Sequence, residues 1–421
     1  MSRLLNGKFM VKGLAVAITA VMVSTAHAGK TEQQQIQELR KEVEALKSLM
    51  QQQHQVQQQQ QTQIAQVQAQ PVQLAAAPVT KSETSFTGLK SKAGASVNIY
   101  GYVRGDANYI IEGADDDFNK VASSDGKTTD KLRATAKTTR LGLDFSTPVE
   151  TGKVGGKIEV DFAGTNEALR IRHAYLTYND WLFGQTTSNF LSNHAPEMID
   201  FGTNVGGGIA RIPQVRYGFK LAPATQLLVS AEKGDSKFTQ FDTTTGKPAD
   251  SATKYSAPNL TAKLIQGFAD GKGSASARAL VENYKSADDS AVAWGLAAGA
   301  SYAVTEQLKL SSDVSYSQGN SNYLYGANSA YVLDGNNIEQ NEFTAVQVGA
   351  TYKLSPNFRS TLAYGALFAD DSTKYAKSTL SANANEKVQQ AWVNFIYTPV
   401  APIDLGVEYI NGKRDTFAGD S

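Results

Sequence analysis

Fifteen stretches of this 421-residue chain alternate apolar with polar side chains, and the connections between them alternate in length. The stretches are residues 97–109, 139–147, 153–163, 168–178, 181–187, 214–221, 226–233, 259–267, 275–284, 292–302, 307–317, 343–354, 357–368, 386–397 and 403–412. A period of two is the signature of a strand with two different environments on its faces. Short connections at 148–152, 179–180, 222–225, 269–273, 303–306, 355–356 and 398–402 interleave with long or medium polar ones at 111–136, 188–213, 234–258, 318–342 and 369–385. A soluble sandwich or propeller has no reason to sort its loops this way. A barrel with one rim in the periplasm and the other outside does.

The face polarity supports the same architecture. Within 169–220, Leu169, Ile171, His173 and Tyr175 fall on one face and Arg170 and Arg172 on the other. Asn179 and Asp180 supply a two-residue hairpin turn. Beyond the long connection, Arg216 and Lys220 oppose Val215, Tyr217 and Phe219. No long apolar run follows Val23, and only helices and closed barrels satisfy the backbone in lipid. The fold expected is all-β: a transmembrane antiparallel β-barrel of about sixteen strands over 96–421, with an N-terminal α-helical coiled coil. Fifteen strands is an odd number, and single-chain bacterial barrels have even ones. The last strand is therefore expected to be missing from this chain, which stops at 413–421 in what should be an outer loop.

Residues 1–28 read as a secretory signal peptide: Arg3, Lys8 and Lys12, then an apolar core too short to span a bilayer, then Ala26-His27-Ala28. Over 29–70, Ile36, Val43, Met50, Gln57 and Ile64 share one heptad position and Leu39, Leu46, Gln53, Gln60 and Val67 its partner, which predicts a periplasmic coiled coil with a Gln-filled middle. Pro71 ends the helix and 71–95 forms a linker. The chain has no cysteine, so disulfides and thiolate chemistry are excluded, and its 40 basic and 40 acidic residues argue against bulk nucleic-acid binding. With four histidines, no zinc or redox site is expected, and no metal or cofactor is assigned. The acidic tips Asp115-Asp116-Asp117 and Asp370-Asp371 read as solvated.

With these features in view, the runs IYGYVRGDANY (99–109), LRIRHAYLTY (169–178) and FGQTTSNF (183–190) resemble the DcaP-like porins. These are trimeric outer-membrane channels for dicarboxylic acids with an N-terminal periplasmic coiled coil. The resemblance spans essentially the whole chain. It implies a sixteen-stranded barrel, a homotrimer in outer-membrane lipid, and passive uptake of small anions.

Function should reside in the lumen that a barrel of this size encloses. The connection 188–213 is expected to fold inward as a constriction, with Glu197, Met198, Ile199 and Asp200 at its tip and Gly206-Gly207-Gly208 as a flexible return. Strand phase points Arg104, Arg140, Arg170, Arg172, Arg216 and Arg359 inward, with Arg211 at the loop's return. Guanidinium forks hold carboxylates bidentately, which makes the group a track for dicarboxylates. The bland alternative pairs these arginines with Asp106, Asp144, Glu159 and Asp161. The function expected is diffusive passage of small anionic solutes, not catalysis. The runner-up is an adhesin or envelope tether with a plugged barrel; a lipase reading built on His173 comes third, since no nucleophile motif accompanies it.

Overall fold

A computed structural model describes residues 86–91, 94–286 and 289–419; the expected leader and coiled coil, and most of the linker, lie outside them. Chain order gives β1 (Phe86–Lys90), β2 (Ser96–Tyr102), β3 (Asp106–Gly113), β4 (Thr128–Thr135), β5 (Arg140–Val149), β6 (Gly152–Asp161), β7 (Arg170–Tyr178) and β8 (Trp181–Thr187). After a long connection come β9 (Arg211–Ala222), β10 (Thr225–Glu232), β11 (Lys237–Asp242), β12 (Lys247–Ala252), β13 (Lys254–Tyr255), β14 (Asn259–Phe268), β15 (Gly273–Ser286) and β16 (Asp289–Ala303). The remainder are β17 (Leu308–Gln318), β18 (Tyr331–Asp334), β19 (Asn337–Gln340), β20 (Glu342–Ser355), β21 (Phe358–Ala369), β22 (Asn385–Val400) and β23 (Ile403–Thr416). Among the described residues, helix is confined to short turns such as α1 (Lys374–Lys377).

Seventeen of these strands form one antiparallel sheet in which each long strand pairs with its chain neighbour in the sheet. Fourteen of the fifteen alternating runs fall on one of its strands each, and the first reaches it only through β2; β1, inside the expected linker, and the two-residue β13 are additions. On β15, Ser276, Arg278, Leu280, Glu282, Tyr284 and Ser286 are buried while Ala277, Val281 and Asn283 are exposed. Across the sheet the polarity is inverted relative to a soluble protein. Leu260, Val281, Leu296, Leu310, Val348, Leu362 and Val407 stand exposed, whereas Glu159, Arg172, Glu232, Lys263, Arg278 and Asp313 are buried. That inversion is what lipid outside and a polar interior demand.

The sheet is rolled. Ile199, in the β8–β9 connection, donates its N–H to Glu408 of β23 at 2.8 Å and accepts from Arg104, just past β2, at 2.6 Å. Strands from opposite ends of the sheet thus meet across one residue. Among the described residues, the outer edges of β1 and β23 are not paired with each other.

Three sequence expectations change. The run 97–109 is two strands: β2 stops at Tyr102, and β3 pairs with β4 in a separate two-stranded sheet. The break at residues 103–105 leaves residue parity intact, so the alternation reads straight through it. The break follows Gly101, at φ 149°, where a Cβ would lie 2.2 Å from the Arg140 carbonyl oxygen. Second, His173 and Tyr175 face inward. Glu159 opposes His173 and Val160 opposes Ile171, so Arg172 is an extra residue, a bulge that resets the phase. Ile171, Leu176 and Tyr178 are the exposed side chains of β7. Third, the polar outer loops are partly ordered. β12, β11, β18 and β19 form a four-stranded sheet, pinned by Phe238 stacked on Tyr331 and Tyr331 on Tyr284.

Candidate functional site

The connection at residues 188–210 lies against the inner face of the sheet, for reasons its composition makes plain. Phe190, Leu191 and Val205 are too apolar for a solvated loop. They are fully buried with Tyr323, Leu324, Leu280, Phe343, Leu367 and Val388. Complete burial of such a side chain contributes about 1.5–3 kcal/mol.

Polar contacts lay the loop along the wall strand by strand. At the root, Asn189 N–H donates to Glu232 Oε1 at 3.1 Å, and Ser192 Oγ donates to Asp313 at 2.6 Å. In the middle, Arg359 grips Glu197 through two 2.6 Å bonds, while Trp392 and Asn394 donate to the Glu197 carbonyl. At the tip, Glu408 accepts from the consecutive N–H groups of Ile199 and Asp200, each at 2.8 Å. On the return, Gln347 donates to Asn204 and to the Val205 carbonyl. The loop is thus bonded to β10, β17 and β20–β23.

The glycine run on the return is not there for flexibility. A Cβ on Gly206, at φ +79°, would sit 1.9 Å from the Val346 carbonyl oxygen, and one on Gly208 would sit 1.9 Å from that of Tyr323. These residues let two backbones touch. Val205 also bridges to Tyr325, whose N–H donates to the Gly207 carbonyl at 2.8 Å. A second inserted segment therefore braces the first.

Asp200 gives the tip a pH dependence. It is 8% exposed. Burial, assisted by Glu408, pushes its carboxyl from 3.8 up to about 6, although Asn119 N–H donates to it. The folded state therefore holds the proton more tightly than the unfolded one. Stability from this group is greatest below pH 4 and declines as pH rises through 6, by at most roughly 3 kcal/mol. Asp200→Asn should gain thermal midpoint over the wild type between pH 5 and 7.5. A midpoint difference that stays constant across that range would refute the assignment.

The other candidates cluster on β5–β9. Arg140, Asp161 and Arg170 are directly opposed across β5, β6 and β7. Arg170 clasps Asp161 through bonds of 2.9 and 2.7 Å. Arg172 bridges Glu159 at 2.7 Å and Asp161 at 2.8 Å; Arg140 Nε lies 3.3 Å from Glu159. Tyr100 OH donates to the other Glu159 oxygen. Arg211 stands in the field of Arg140, Arg170 and Arg172, with its Nε buried and unpartnered. Three guanidinium groups thus share two carboxylates and a fourth stands beside them, a local excess of two positive charges. Arg170 is the wet member, its side chain 39% exposed against 6% for Arg172.

The remaining expected residues have other partners. Arg104 pairs with Asp106 at 2.5 Å and lies over Phe201. Arg216 donates to Gln214 and to the Thr187 carbonyl. Arg359 and Glu197 hold each other, and Asp200 is buried. His173 Nδ1 lies 2.9 Å from Thr186 Oγ1 and its Nε2 3.8 Å from Glu159. The sequence reading passed over Lys263 and Arg278, which strand parity places inward, and the inserted Tyr323, Leu324 and Tyr325.

No curated protein matches the chain. Among solved structures, the crystal structure of the outer membrane channel DcaP of Acinetobacter baumannii shares 69% identity, with 79% of this chain and 95% of that chain covered and a TM-score of 0.75. Two forms of OmpT, an outer membrane protein of Vibrio cholerae, align at TM-score 0.49: the loop L8 deletion mutant at 13% identity over 76% of this chain and 95% of that one, and the outer-membrane expressed protein at 14% over 78% and 90%. The family model for DcaP outer membrane protein matches residues 30–420, and with that span matched the chain belongs to the DcaP outer membrane protein family.

Proposed function

We propose that the chain is an outer-membrane porin through which small anionic solutes, dicarboxylic acids above all, diffuse past the arginine group on β5–β9. One observation carries the reading. The inserted loop takes most of its bonds from β10–β23 and touches the other side chiefly through Arg104, which leaves the β5–β9 wall, where four guanidinium groups lie near two carboxylates, to border the passage. A rigid fork with a spare donor edge captures a carboxylate, and a solute with two carboxylates is handed from one fork to the next. The 69% identical Acinetobacter baumannii protein is described as an outer membrane channel, which supports the same reading. A barrel of about sixteen strands, a homotrimer and a periplasmic N-terminal coiled coil complete it.

The apolar cluster of inserted loops favours a second reading, a plugged barrel that anchors an adhesin or tether. Reversal potential in a planar bilayer under a salt gradient separates the two. The porin should prefer anions, and added dicarboxylate should reduce its current. Absence of conductance would transfer the case to the tether.

A further inference from the structure

Lys263 on β14 and Arg278 on β15 are directly opposed in register, and both are buried, at 7% and 3% exposure. Two like charges facing each other across a strand pair repel. Out of water they also need hydrogen-bond acceptors. The inserted loop supplies them from two consecutive residues: Arg278 donates to the Phe190 carbonyl at 3.1 Å and Lys263 to the Leu191 carbonyl at 2.6 Å. Asp313 answers Arg278 through two bonds of 2.6 Å, and it also accepts from Ser192 of the loop. His194, two residues further, reaches Ser276 of β15 at 3.1 Å.

We propose that Lys263 and Arg278 are positioning residues that latch the root of the inserted loop and thereby set the width of the passage. Without the loop, the wall carries a facing pair of like charges whose hydrogen-bonded acid is the Asp313 held by Arg278; with it, each cation has its own carbonyl acceptor. The sheet is built to demand its loop. The width argument rests on the porin reading, whereas the latch itself does not.

The test uses the full-length protein, in which Ser188→Cys creates the sole thiol because the chain has no cysteine. Ser188 is 1% exposed, so the thiol should resist maleimide in the parent. Lys263→Met should raise its labelling rate about tenfold or more and replace one conductance level with fluctuating substates. Lys263→Arg, which keeps a charged donor, should restore both. Lys263→Met removes one of two repelling cations and so does not threaten the sheet; retained heat-modifiable mobility on gels checks this. An unchanged labelling rate in Lys263→Met, even with altered ion preference, would overturn the latch and make Lys263 a contributor of lumen charge alone. Loss of conductance in the parent would sink the porin reading while labelling still decides the latch.

Discussion

Replacing Arg170 and Arg172 together by alanine should abolish the preference for anions. The pair accounts for half of a group in which Arg140, Arg170, Arg172 and Arg211 surround Glu159 and Asp161. Without it, two cations face two carboxylates and the local excess vanishes. The anion-to-cation permeability ratio should then fall severalfold, to about unity, because selectivity of a water-filled pore follows the charges at its narrow part. The single variants should differ in kind. Arg170 is partly wet, and Asp161 keeps Arg172 when it is removed, so Arg170→Ala should weaken block by dicarboxylate with little loss of heat stability. Arg172 is almost fully enclosed and bonds both carboxylates. Its removal leaves Asp161 with Arg170 alone and Glu159 with only Arg140 and Tyr100, a loss smaller than the roughly 3–5 kcal/mol of a buried charge stripped of its partner. Arg172→Ala should therefore lose stability and selectivity together. A reversal potential unchanged in the double variant would reduce these arginines to braces between β6 and β7.

Strand parity carried the sequence reading a long way and failed where parity is broken. Fifteen runs became strands because their alternation is imposed by two solvents, and no tertiary contact is needed to see it. The same parity sent Arg104, Arg140, Arg170, Arg172 and Arg359 to the inner face. One extra residue at Arg172 then reversed the assignment of His173 and Tyr175, and nothing local marks that bulge. The in-folding of 188–210 was legible in apolar residues such as Ile199, out of place on a solvated loop. The matching insertion of Tyr323, Leu324 and Tyr325 carried a similar signal within a connection read as polar. The partners were not legible. Which acid holds which arginine depends on register between strands distant in sequence, and so does the use of Glu197 to anchor Arg359.

Deleting residues 193–206 should raise single-channel conductance about twofold or more, since a segment folded onto the inner wall is replaced by water. The deletion removes the Glu197 grip on Arg359, the two bonds to Glu408 and the Val205–Tyr325 bridge. It leaves Phe190 and Leu191, and with them the carbonyls that Lys263 and Arg278 hold, so the root should stay on the wall. Val205 is fully buried, and its loss opens the apolar cluster that three connections build together. A fall in melting temperature should accompany the gain in current. Anion preference should weaken but persist. The wider lumen dilutes the field of the arginine group, yet the deletion leaves that group in place, removes two acids and leaves Arg359 with the more distant Asp404. On the proposed reading preference and conductance should therefore separate, the first following the β5–β9 wall and the second the loop. Wild-type conductance in the deletion variant would mean that the passage is narrowed elsewhere.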